Sequence, residues 1–439
     1  MNFDEAVSYL LSLGHETVAI KLGLDNIERL LERLGRPQDA FPSVQIAGTN
    51  GKGSTAAMLD AMARAAGVRA GLYTSPHLVS ITERIRISGR EISLEEFARA
   101  ASLVRAASEE VEAAAAGGLP TFFEQLTAIT LTAFRDAGVQ LAILETGLGG
   151  RLDATTAARA LWVAVTPVAL DHMEYLGHTL AEIASEKAAI IRPGVKAVVL
   201  APQEREAAAV LLRRCRECGV EPRFAGDAPE VSGASDLGRL LVRLRTARAD
   251  YGFVRLSLRG RHQLINAAVA VVLAEALAED GFPLGPTSIT TGLESAAHAG
   301  RLEFDASHTP PLLFDGAHNP AGARALREYL DEFVAPPLTL VFGAMRDKAL
   351  AEIGATLFPA ASHLVLTSPQ HPRAATVEEL IRAVPVPSSS STITLAPSSA
   401  DALRLARAQT PPGGTICIAG SLYLVGEVKA QRRIPAPEK

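Results

Sequence analysis

Residues 43–58 read Ser43-Val44-Gln45-Ile46-Ala47-Gly48-Thr49-Asn50-Gly51-Lys52-Gly53-Ser54-Thr55-Ala56-Ala57-Met58, and the architecture follows from this segment. An apolar run ends in glycines, a lysine and hydroxyls, and an alanine-rich helical pattern follows at once. The order predicts a strand, a phosphate-binding loop and a helix. Glycines let backbone N–H groups surround a polyphosphate, and Lys52 can reach its outer phosphates. We therefore expect ATP or a close relative to bind at Thr49, Asn50, Gly51, Lys52, Gly53 and Ser54.

The match to the general P-loop pattern is incomplete. Gly53 follows Lys52, where that pattern has a Ser or Thr for magnesium. Another hydroxyl must bind the magnesium ion, and Ser75 is a candidate because Pro76 keeps it in an extended or turn conformation. The alternative explanation of the loop is a glycine turn that only joins strand to helix, and the alternative explanation of Ser75 is an ordinary loop serine.

Size and composition restrict the class of protein. A chain of 439 residues with 48% hydrophobic content can bury two cores. A net charge of −5 without long Lys/Arg runs argues against nucleic acid as a partner. The N terminus lacks a signal-peptide pattern, and no uncharged segment reaches membrane-spanning length, so we expect a cytoplasmic protein that does not contact membranes. Three cysteines are too few for a disulfide framework, which predicts reduced thiols.

Polar residues follow two predicted strands further along the chain. The strand predicted at 139–144 ends at Glu145, and the one at 162–168 ends close to Asp171 and His172. Ligands of a doubly wound sheet lie beyond the carboxyl ends of its strands, so Glu145 and His172 are candidates for a metal site. The alternatives to metal binding are that Glu145 is simply an acidic residue beside a glycine loop and that His172 is a solvated histidine.

A change of composition near residues 285–300 to Gly, Pro, Ser and Thr predicts a domain boundary, with domains at 1–298 and 299–439. A β-ribbon is predicted at 237–259, within the first domain. Strands and helices alternate beyond the boundary and predict a smaller sheet. The expected fold class is α/β, with a P-loop doubly wound N-terminal ATPase domain and a smaller Rossmann-like C-terminal domain. Residues 385–390 and the charged tail from Lys429 are predicted to be surface linkers.

Several motifs resemble one family. Gly-Thr-Asn-Gly-Lys-Gly-Ser-Thr (48–55), Ser-Pro-His (75–77) and Glu-Thr-Gly-Leu-Gly-Gly-Arg-Leu-Asp (145–153) are similar to segments of the folylpolyglutamate synthase/dihydrofolate synthase branch of the Mur ligase superfamily. Seven such groups follow the family's order between residues 48 and 348. The chain departs from the family at Thr156, because family members usually continue Asp-Ala-Thr-Asn.

The resemblance implies the roles of individual residues at the reaction centre. It implies two magnesium sites, with ligands at Ser75, Glu145 and His172. Lys187 matches a lysine that is carbamylated in the family, which requires a shielded amine with a lowered pKa; a solvated helix face is the alternative. Catalytic roles are thus expected for Lys52, Lys187 and His318.

The resemblance also implies two binding sets. Further ATP contacts are expected at Asn266, Arg301 and Asp315. The acceptor is expected to contact Phe122, Phe123, Glu124, Arg151 and Asp153, since aromatic rings can stack on a flat pterin. Glu124 has an alternative explanation as the cap of a helix that starts after Thr121, and Asp315 and His318 have one as structural partners.

The implied activity is ATP-dependent addition of L-glutamate to folate, and also to dihydropteroate, through an acyl phosphate. ATP, L-glutamate and folate or dihydropteroate are the expected small-molecule partners, and a monomer is expected. Two alternatives stay open: a Mur-type ligase acting on another carboxylate, and a nucleotide-binding regulator without ligase activity.

Overall fold

The computed structural model describes residues 1–14, 23–114, 118–226, 229–235, 237–383 and 392–433. These residues form two compact units. The first comprises Met1–Ala228, Thr246–Ala249 and Ile265–Ala296, and the second comprises Pro229–Arg245, Asp250–Leu264 and Ala297–Lys439. Most of the ribbon predicted at 237–259 therefore groups with the second unit. The predicted domain division at 298/299 stays a prediction.

The first unit alternates strands and helices, as its sequence pattern predicts. Its elements are α1 (Phe3–Ser12), α2 (Asp25–Arg33), β1 (Ser43–Ala47), α3 (Lys52–Ala65), β2 (Ala70–Tyr73), β3 (Ile85–Ile87), β4 (Arg90–Glu91), α4 (Leu94–Ala114), α5 (Phe122–Asp136), β5 (Leu141–Glu145), β6 (Trp162–Val165), α6 (Met173–Leu176), α7 (Leu180–Ala188), β7 (Ala197–Leu200), α8 (Arg205–Glu217) and β8 (Pro222–Phe224).

Eight strands form one sheet in the order β4-β3-β2-β5-β1-β6-β7-β8. The strands from β2 to β8 in this order run parallel, whereas β3 and β4 pair antiparallel at one edge. β1 and β5 are buried along their whole length, as is typical of central strands covered by helices. The chain leaves β1 towards β2 and leaves β6 towards β7, in opposite directions. This switch opens a ligand crevice beyond the carboxyl ends of the strands.

Two apolar clusters pack helices onto this sheet. One joins α1, α2, α4 and α5 to β2 and β5, and the other joins α7 and α8 to β6 and β7. The start of α4 is fixed by a reciprocal cap, in which Glu96 N–H donates to Ser93 Oγ and Ser93 N–H donates to Glu96 Oε2, each over 3.1 Å. Burial of these faces holds the strand ends, and hence the loops that follow them, in fixed positions.

The chain then forms an antiparallel ribbon and two helices. The ribbon is β9 (Glu230–Ala234), β10 (Leu240–Arg245) and β11 (Asp250–Arg255), and the helices are α9 (His262–Glu279) and α10 (Pro286–Ser295). A β-carbon added at Gly292 would lie 2.5 Å from the Met62 backbone, so α10 packs closely on α3. Part of the Gly/Pro/Ser/Thr-rich segment that suggested a boundary is therefore a packed helix.

The second unit continues with a six-stranded sheet in the order β12-β13-β17-β14-β15-β16, in which only β12 is antiparallel to its neighbour. The elements are β12 (Glu303–Asp305), β13 (Leu312–Phe314), α11 (Pro320–Phe333), β14 (Leu338–Phe342), α12 (Leu350–Leu357), β15 (His363–Leu366), α13 (Val377–Ala383), β16 (Thr392–Leu395), α14 (Ser399–Gln409), β17 (Thr415–Ala419) and α15 (Leu422–Arg433). The predicted α/β class with a smaller second sheet is confirmed.

One prediction about the second unit is wrong. The tail from Lys429 is not a linker up to Arg433, because it is the last part of α15, and Lys429 Nζ lies 2.6 Å from both carboxylate oxygens of Glu303. The Glu303 carboxylate, on a strand distant in the chain, compensates the charge of Lys429, and such charges were the reason for expecting an exposed tail. The predicted linker at 385–390 lies outside the described residues.

The cysteines and the apolar helix α9 bear on the predictions about disulfides and membranes. Cys215, Cys218 and Cys417 are all free thiols. Among the described residues, α9 is the helix long and apolar enough to cross a membrane, and 78% of it is buried inside the protein, as in the core helix of a folded domain.

Candidate active site

The predicted ATP loop joins β1 to α3 in a conformation that glycine permits. Gly48 has φ 145° and Gly51 has φ 89°. A β-carbon at Gly48 would lie 1.9 Å from Thr166 Oγ1, and one at Gly51 would lie 2.1 Å from Asn266 Oδ1. A side chain at either position would displace a neighbouring side chain and would adopt a backbone conformation that favours glycine. The second contact places Asn266, a predicted ATP ligand, directly against the loop.

Hydrogen bonds anchor the ATP loop to the segment after β6. The N–H groups of Thr49 and Asn50 donate to Pro167 O over 3.0 and 3.3 Å, and Thr49 Oγ1 donates to Ala169 O over 3.0 Å. Lys52 is the first residue of α3, and its ammonium donates to Thr49 O over 3.2 Å. A lysine, a helix N terminus and the buried Gly53 and Ser54 of the first turn thus meet where an anion would bind.

Ser75 and Glu145, two predicted magnesium ligands, lie together at the carboxyl ends of neighbouring strands β2 and β5. Ser75 N–H donates to Glu145 Oε2 over 3.2 Å, and Glu145 is buried. Carboxylate and hydroxyl oxygens suit a hard divalent cation. Across the described ranges no group of three or more His, Cys, Asp and Glu is arranged to hold a metal ion. A carboxylate and a hydroxyl would supply part of the oxygen shell of such a cation, and phosphate or water would supply the rest.

Lys187, on α7, is buried with 4% of its surface exposed, so the solvated-face alternative is wrong. Burial disfavours its ammonium form and the positive charge of Lys52 adds repulsion, which lowers the pKa of Lys187 to about 7. The carboxylates of Asp171 and Asp153 act in the opposite direction. The shielding that the carbamylation prediction requires is present, and the modification itself stays a prediction.

His172 lies at the start of α6 with a left-handed backbone, φ 50°, and its N–H donates to Asp171 Oδ1 over 2.9 Å. Asp171 is a site residue that we did not predict. It interacts with Lys187 and was recognisable as a carboxylate directly after a predicted strand end.

The glycine loop, residues 147–153, folds around Asp153. Leu148 N–H donates to Asp153 Oδ2 over 2.9 Å, and burial raises the pKa of this carboxyl. Arg151 is 56% exposed at its side chain and pairs with Glu186 Oε1 over 3.0 Å, next to Lys187. A β-carbon at Gly147 would lie 2.6 Å from the Phe123 ring and 3.2 Å from Asp153 Oδ2. Two of the predicted acceptor residues, Phe123 and Asp153, are therefore adjacent.

The start of α5 confirms the capping alternative for Glu124. Thr121 N–H donates to Glu124 Oε2 over 2.7 Å, and Glu124 N–H donates to Thr121 Oγ1 over 3.3 Å. The Phe122 ring lies 5.7 Å from the guanidinium of Arg84, which donates through Nε to His77 Nδ1 over 2.8 Å. Buried Arg84 thus connects the Ser-Pro-His segment to α5, a contact that residue types alone did not indicate.

Arg301, Asp315 and His318 cluster within the second unit: Asp315 and His318 follow β13, and Arg301, which precedes β12, lies against Gly316 between them. Asp315 accepts from Leu302 N–H and Ala317 N–H, both over 2.9 Å. Burial raises the pKa of Asp315, and the charge of Arg301 opposes this shift. His318 Nδ1 donates to Gly316 O over 2.7 Å. The predicted roles of these three residues stay predictions.

Two family models match the chain. The Mur ligase middle domain matches residues 46–274, and the Mur ligase glutamate ligase domain matches residues 300–422. The first match contains the ATP loop, Glu145 and Lys187, and the second contains Arg301 and Asp315.

Named relatives agree with these matches. The dihydrofolate synthase/folylpolyglutamate synthase of Bacillus subtilis is 32% identical over 95% of this chain and 96% of its own length. The probable bifunctional folylpolyglutamate synthase/dihydropteroate synthase of Haloferax volcanii is 38% identical over 98% of this chain. The chain spans only 50% of that relative's length and 52% of a similar one from Halobacterium salinarum.

Solved structures have the same fold. A Mycobacterium tuberculosis folylpolyglutamate synthase complexed with ADP and AMPPCP superposes with a TM-score of 0.88 at 32% identity, covering 100% of both chains. Escherichia coli FolC in complex with DHPP and ADP gives 0.83 at 30% identity, covering 99% of both chains. A bifunctional folylpolyglutamate synthase/dihydrofolate synthase with Mn, AMPPNP and L-glutamate bound gives 0.83 at 28% identity, covering 99% of this chain and 98% of that one.

Proposed function

The chain belongs to the folylpolyglutamate synthase/dihydrofolate synthase family of Mur ligases, and from this premise we propose that it is an ATP-dependent ligase. It joins L-glutamate to the carboxylate of a folate, and dihydropteroate is its second acceptor. The observation that carries the proposal is that Ser75 and Glu145 meet at the carboxyl ends of their strands, the end of the sheet from which the ATP loop leads to Lys52, the first residue of α3.

ATP would lie with its phosphates at the N terminus of α3, where Lys52 supplies a positive charge. Ser75 and Glu145 would hold a divalent cation, which reduces the repulsion between the phosphates and the incoming carboxylate when it is bound. The relatives that bind ADP, AMPPCP, or Mn with AMPPNP support this use of the site. We assign Asn266 to the nucleotide because it lies against Gly51.

The reaction begins at the acceptor. A carboxylate oxygen of the acceptor attacks the γ-phosphorus of ATP, the bond between that phosphorus and ADP breaks, and an acyl phosphate forms. Lys52 neutralises charge on the transferred phosphoryl group. The amine of glutamate then attacks the acyl carbon and loses a proton, and phosphate leaves with one oxygen of the acceptor. The products are an amide, ADP and phosphate.

The acceptor would lie beside Phe123 and Asp153, which meet at Gly147. The Phe123 ring packs 6.1 Å from the fully buried ring of Tyr73, which holds it in place, and the partly exposed Phe123 ring is available to stack on a flat heterocycle. The relative that binds DHPP together with ADP supports a pterin-type acceptor. Phe122, which is buried beneath Arg84, and the exposed Arg151 are assigned to the same acceptor site.

Finer parts of the proposal concern Lys187 and the assembly. The buried, partly neutral amine of Lys187 would react with carbon dioxide, lose a proton and give a carbamate. This carbamate and His172 would hold a second magnesium ion. A cytoplasmic monomer that takes only small-molecule partners is the simplest form. Arg301 and Asp315 are assigned to ATP, and His318 to the reacting acceptor.

Purified protein incubated with ATP, Mg²⁺, L-glutamate and either dihydropteroate or tetrahydrofolate tests the function. We expect ADP release that depends on both glutamate and acceptor, and its loss in Lys52→Met. ADP release with only another carboxylate would indicate a Mur-type ligase of different specificity. Nucleotide binding without an amide product under any acceptor would indicate a regulator.

A further inference from the structure

Gln45 is a polar side chain in the middle of β1, the strand that leads into the ATP loop, and it is 0% exposed. Its Nε2 group lies 2.9 Å from Thr155 Oγ1 and 2.8 Å from Thr156 Oγ1. A third hydroxyl, Thr146 Oγ1, is farther away at 3.3 Å. A primary amide has two hydrogens, so the two short contacts account for both.

The two hydroxyls pass these bonds on to the glycine loop. Thr156 Oγ1 donates to Gly150 O over 2.7 Å, and Thr155 Oγ1 donates to Asp153 Oδ1. Each hydroxyl has one hydrogen and has used it, so each can only accept from Gln45. The amide must therefore present its nitrogen, and its oxygen has no hydrogen-bond partner among the described residues. A buried acceptor without a partner is a cost that the fold tolerates here.

The loop that this network holds carries the predicted acceptor and reaction-centre contacts. Asp153 closes the loop and lies beside Gly147. Arg151 N–H donates to Glu186 O over 2.9 Å, and a β-carbon at Gly150 would lie 3.2 Å from the carbonyl oxygen of Lys187. The loop thus connects the end of β5 with the helix that bears Lys187.

We propose that Gln45, acting through Thr155 and Thr156, is a positioning residue for the acceptor. It fixes the glycine loop so that Asp153 and the Phe123 ring define the acceptor pocket relative to Glu145. Thr156, which stands where the family usually has Asn, has Gln45 as its buried partner, and its single hydroxyl both accepts from the amide and donates to the loop. This inference rests on the proposed function.

Matched substitutions test the proposal. Gln45→Met and Thr156→Val keep volume and remove the bonds, whereas Thr156→Ser keeps both. Thr132→Val is the control, because it removes a buried hydroxyl that has no hydrogen-bond partner among the described residues. We expect Gln45→Met and Thr156→Val to lower kcat/KM for the acceptor by about 10- to 100-fold, since a small misplacement of binding groups has effects of this order.

Three results separate positioning from a structural role. KM for ATP should stay within about twofold in both variants, and Thr156→Ser should retain the wild-type kcat/KM for the acceptor. The double variant, Gln45→Met with Thr156→Val, should have a kcat/KM no lower than that of the more impaired single variant, because one network is involved. If both variants lower only the melting temperature and the folded enzyme keeps its acceptor kinetics, Gln45 is a structural residue and the proposal is overturned.

Hydrogen exchange gives a readout that does not need activity. Amides in peptides that cover 147–153 should exchange faster in Gln45→Met than in wild type, and should be unchanged in Thr132→Val. Wild-type protein that forms no amide product would defeat the proposed function and leave this readout intact. Equal exchange in wild type and Gln45→Met would overturn the positioning proposal even in an active enzyme.

Discussion

Ser75 N–H donates a hydrogen bond to Glu145 Oε2 over 3.2 Å, although the two residues are 70 positions apart in the chain. The register of β2 and β5 explains the contact, because Tyr73 pairs with Leu144 and the residues that follow the two strands meet at one edge. The Ser75 backbone and the Glu145 carboxylate are thereby held at the carboxyl-terminal end of the sheet, where Glu145 pairs with Ile46 of the strand that leads into the ATP loop. The cation site that we propose depends on this pair.

Glu145→Gln should remove most of the activity and little of the stability. The amide oxygen can still accept from Ser75 N–H, but it loses the negative charge that holds a cation. We expect kcat to fall at least about 100-fold in an ADP-release assay. Glu206→Gln, at an exposed position of α8, should keep full activity. Retention of more than half the activity in Glu145→Gln would contradict the assignment.

Lys187 should make stability depend on pH. Its folded pKa of about 7 is below the ordinary value of 10.5, so between these pH values the unfolded chain binds a proton that the folded chain does not. The free energy of unfolding should therefore rise with pH, by up to about 1.4 kcal/mol per unit. The stability advantage of Lys187→Met over wild type should be largest near pH 7 and shrink towards pH 10.

Urea unfolding in bicarbonate-free buffer measures this trend. Lys187→Arg is the matched variant, because its charge persists at every pH in the range and its stability deficit should grow as the pH rises. A constant difference between wild type and both variants would show that the Lys187 amine titrates in the folded protein as it does in water.

Gly51→Ala should weaken ATP binding through a clash. Its β-carbon would overlap Asn266 Oδ1 at 2.1 Å, so either the loop or the Asn266 side chain, both assigned to ATP, would have to move. Gly67→Ala is the control, since Gly67 also has a left-handed backbone, φ 77°, but nothing within 4 Å of an added β-carbon. We expect Gly67→Ala to cost about 1 kcal/mol of stability and no ATP affinity. Calorimetric titration with ATP should show at least about a tenfold loss for Gly51→Ala, and equal affinities would refute the close contact.

Asp315→Asn should destabilise the second unit. The carboxylate accepts from both Leu302 N–H and Ala317 N–H, whereas an amide offers one acceptor oxygen, so one buried N–H loses its partner. We expect a loss of about 1–3 kcal/mol in the free energy of unfolding. Asp331→Asn, at an exposed ion pair with Arg327, should cost less than about 1 kcal/mol. Similar losses in the two variants would argue against the role of the Asp315 bonds.

Local sequence patterns predicted the parts of the fold that depend on neighbours in the chain. The glycines around Lys52, the capping residues before α5 and the apolar strands before Glu145 carry their structural cause within a few residues. The α/β class and the family were therefore confirmed. The meeting of Ser75 with Glu145 was expected only from the family resemblance, and the structure supplies the strand register that achieves it.

Contacts between distant residues were not predictable in the same way. The Arg84 guanidinium lies over the Phe122 ring of α5, and Lys429 pairs with Glu303, 126 positions away in the chain. Strands as short as β12, with three residues, carry too little periodicity to be recognised. Gln45 was visible as a polar residue in an apolar strand, but its partners Thr155 and Thr156 lie in a short 3-10 helix, Ala154–Ala158, that only the tertiary fold brings against it.

A single labelled turnover tests the central claim most directly. The acceptor, dihydropteroate or tetrahydrofolate, is prepared with ¹⁸O in its carboxylate and incubated with the protein, ATP, Mg²⁺ and L-glutamate, and the products are analysed by mass spectrometry. We predict an acceptor extended by one glutamyl residue and inorganic phosphate that carries one ¹⁸O atom, because the acyl phosphate transfers that oxygen. ADP release without an amide, or an amide with unlabelled phosphate, would contradict the account.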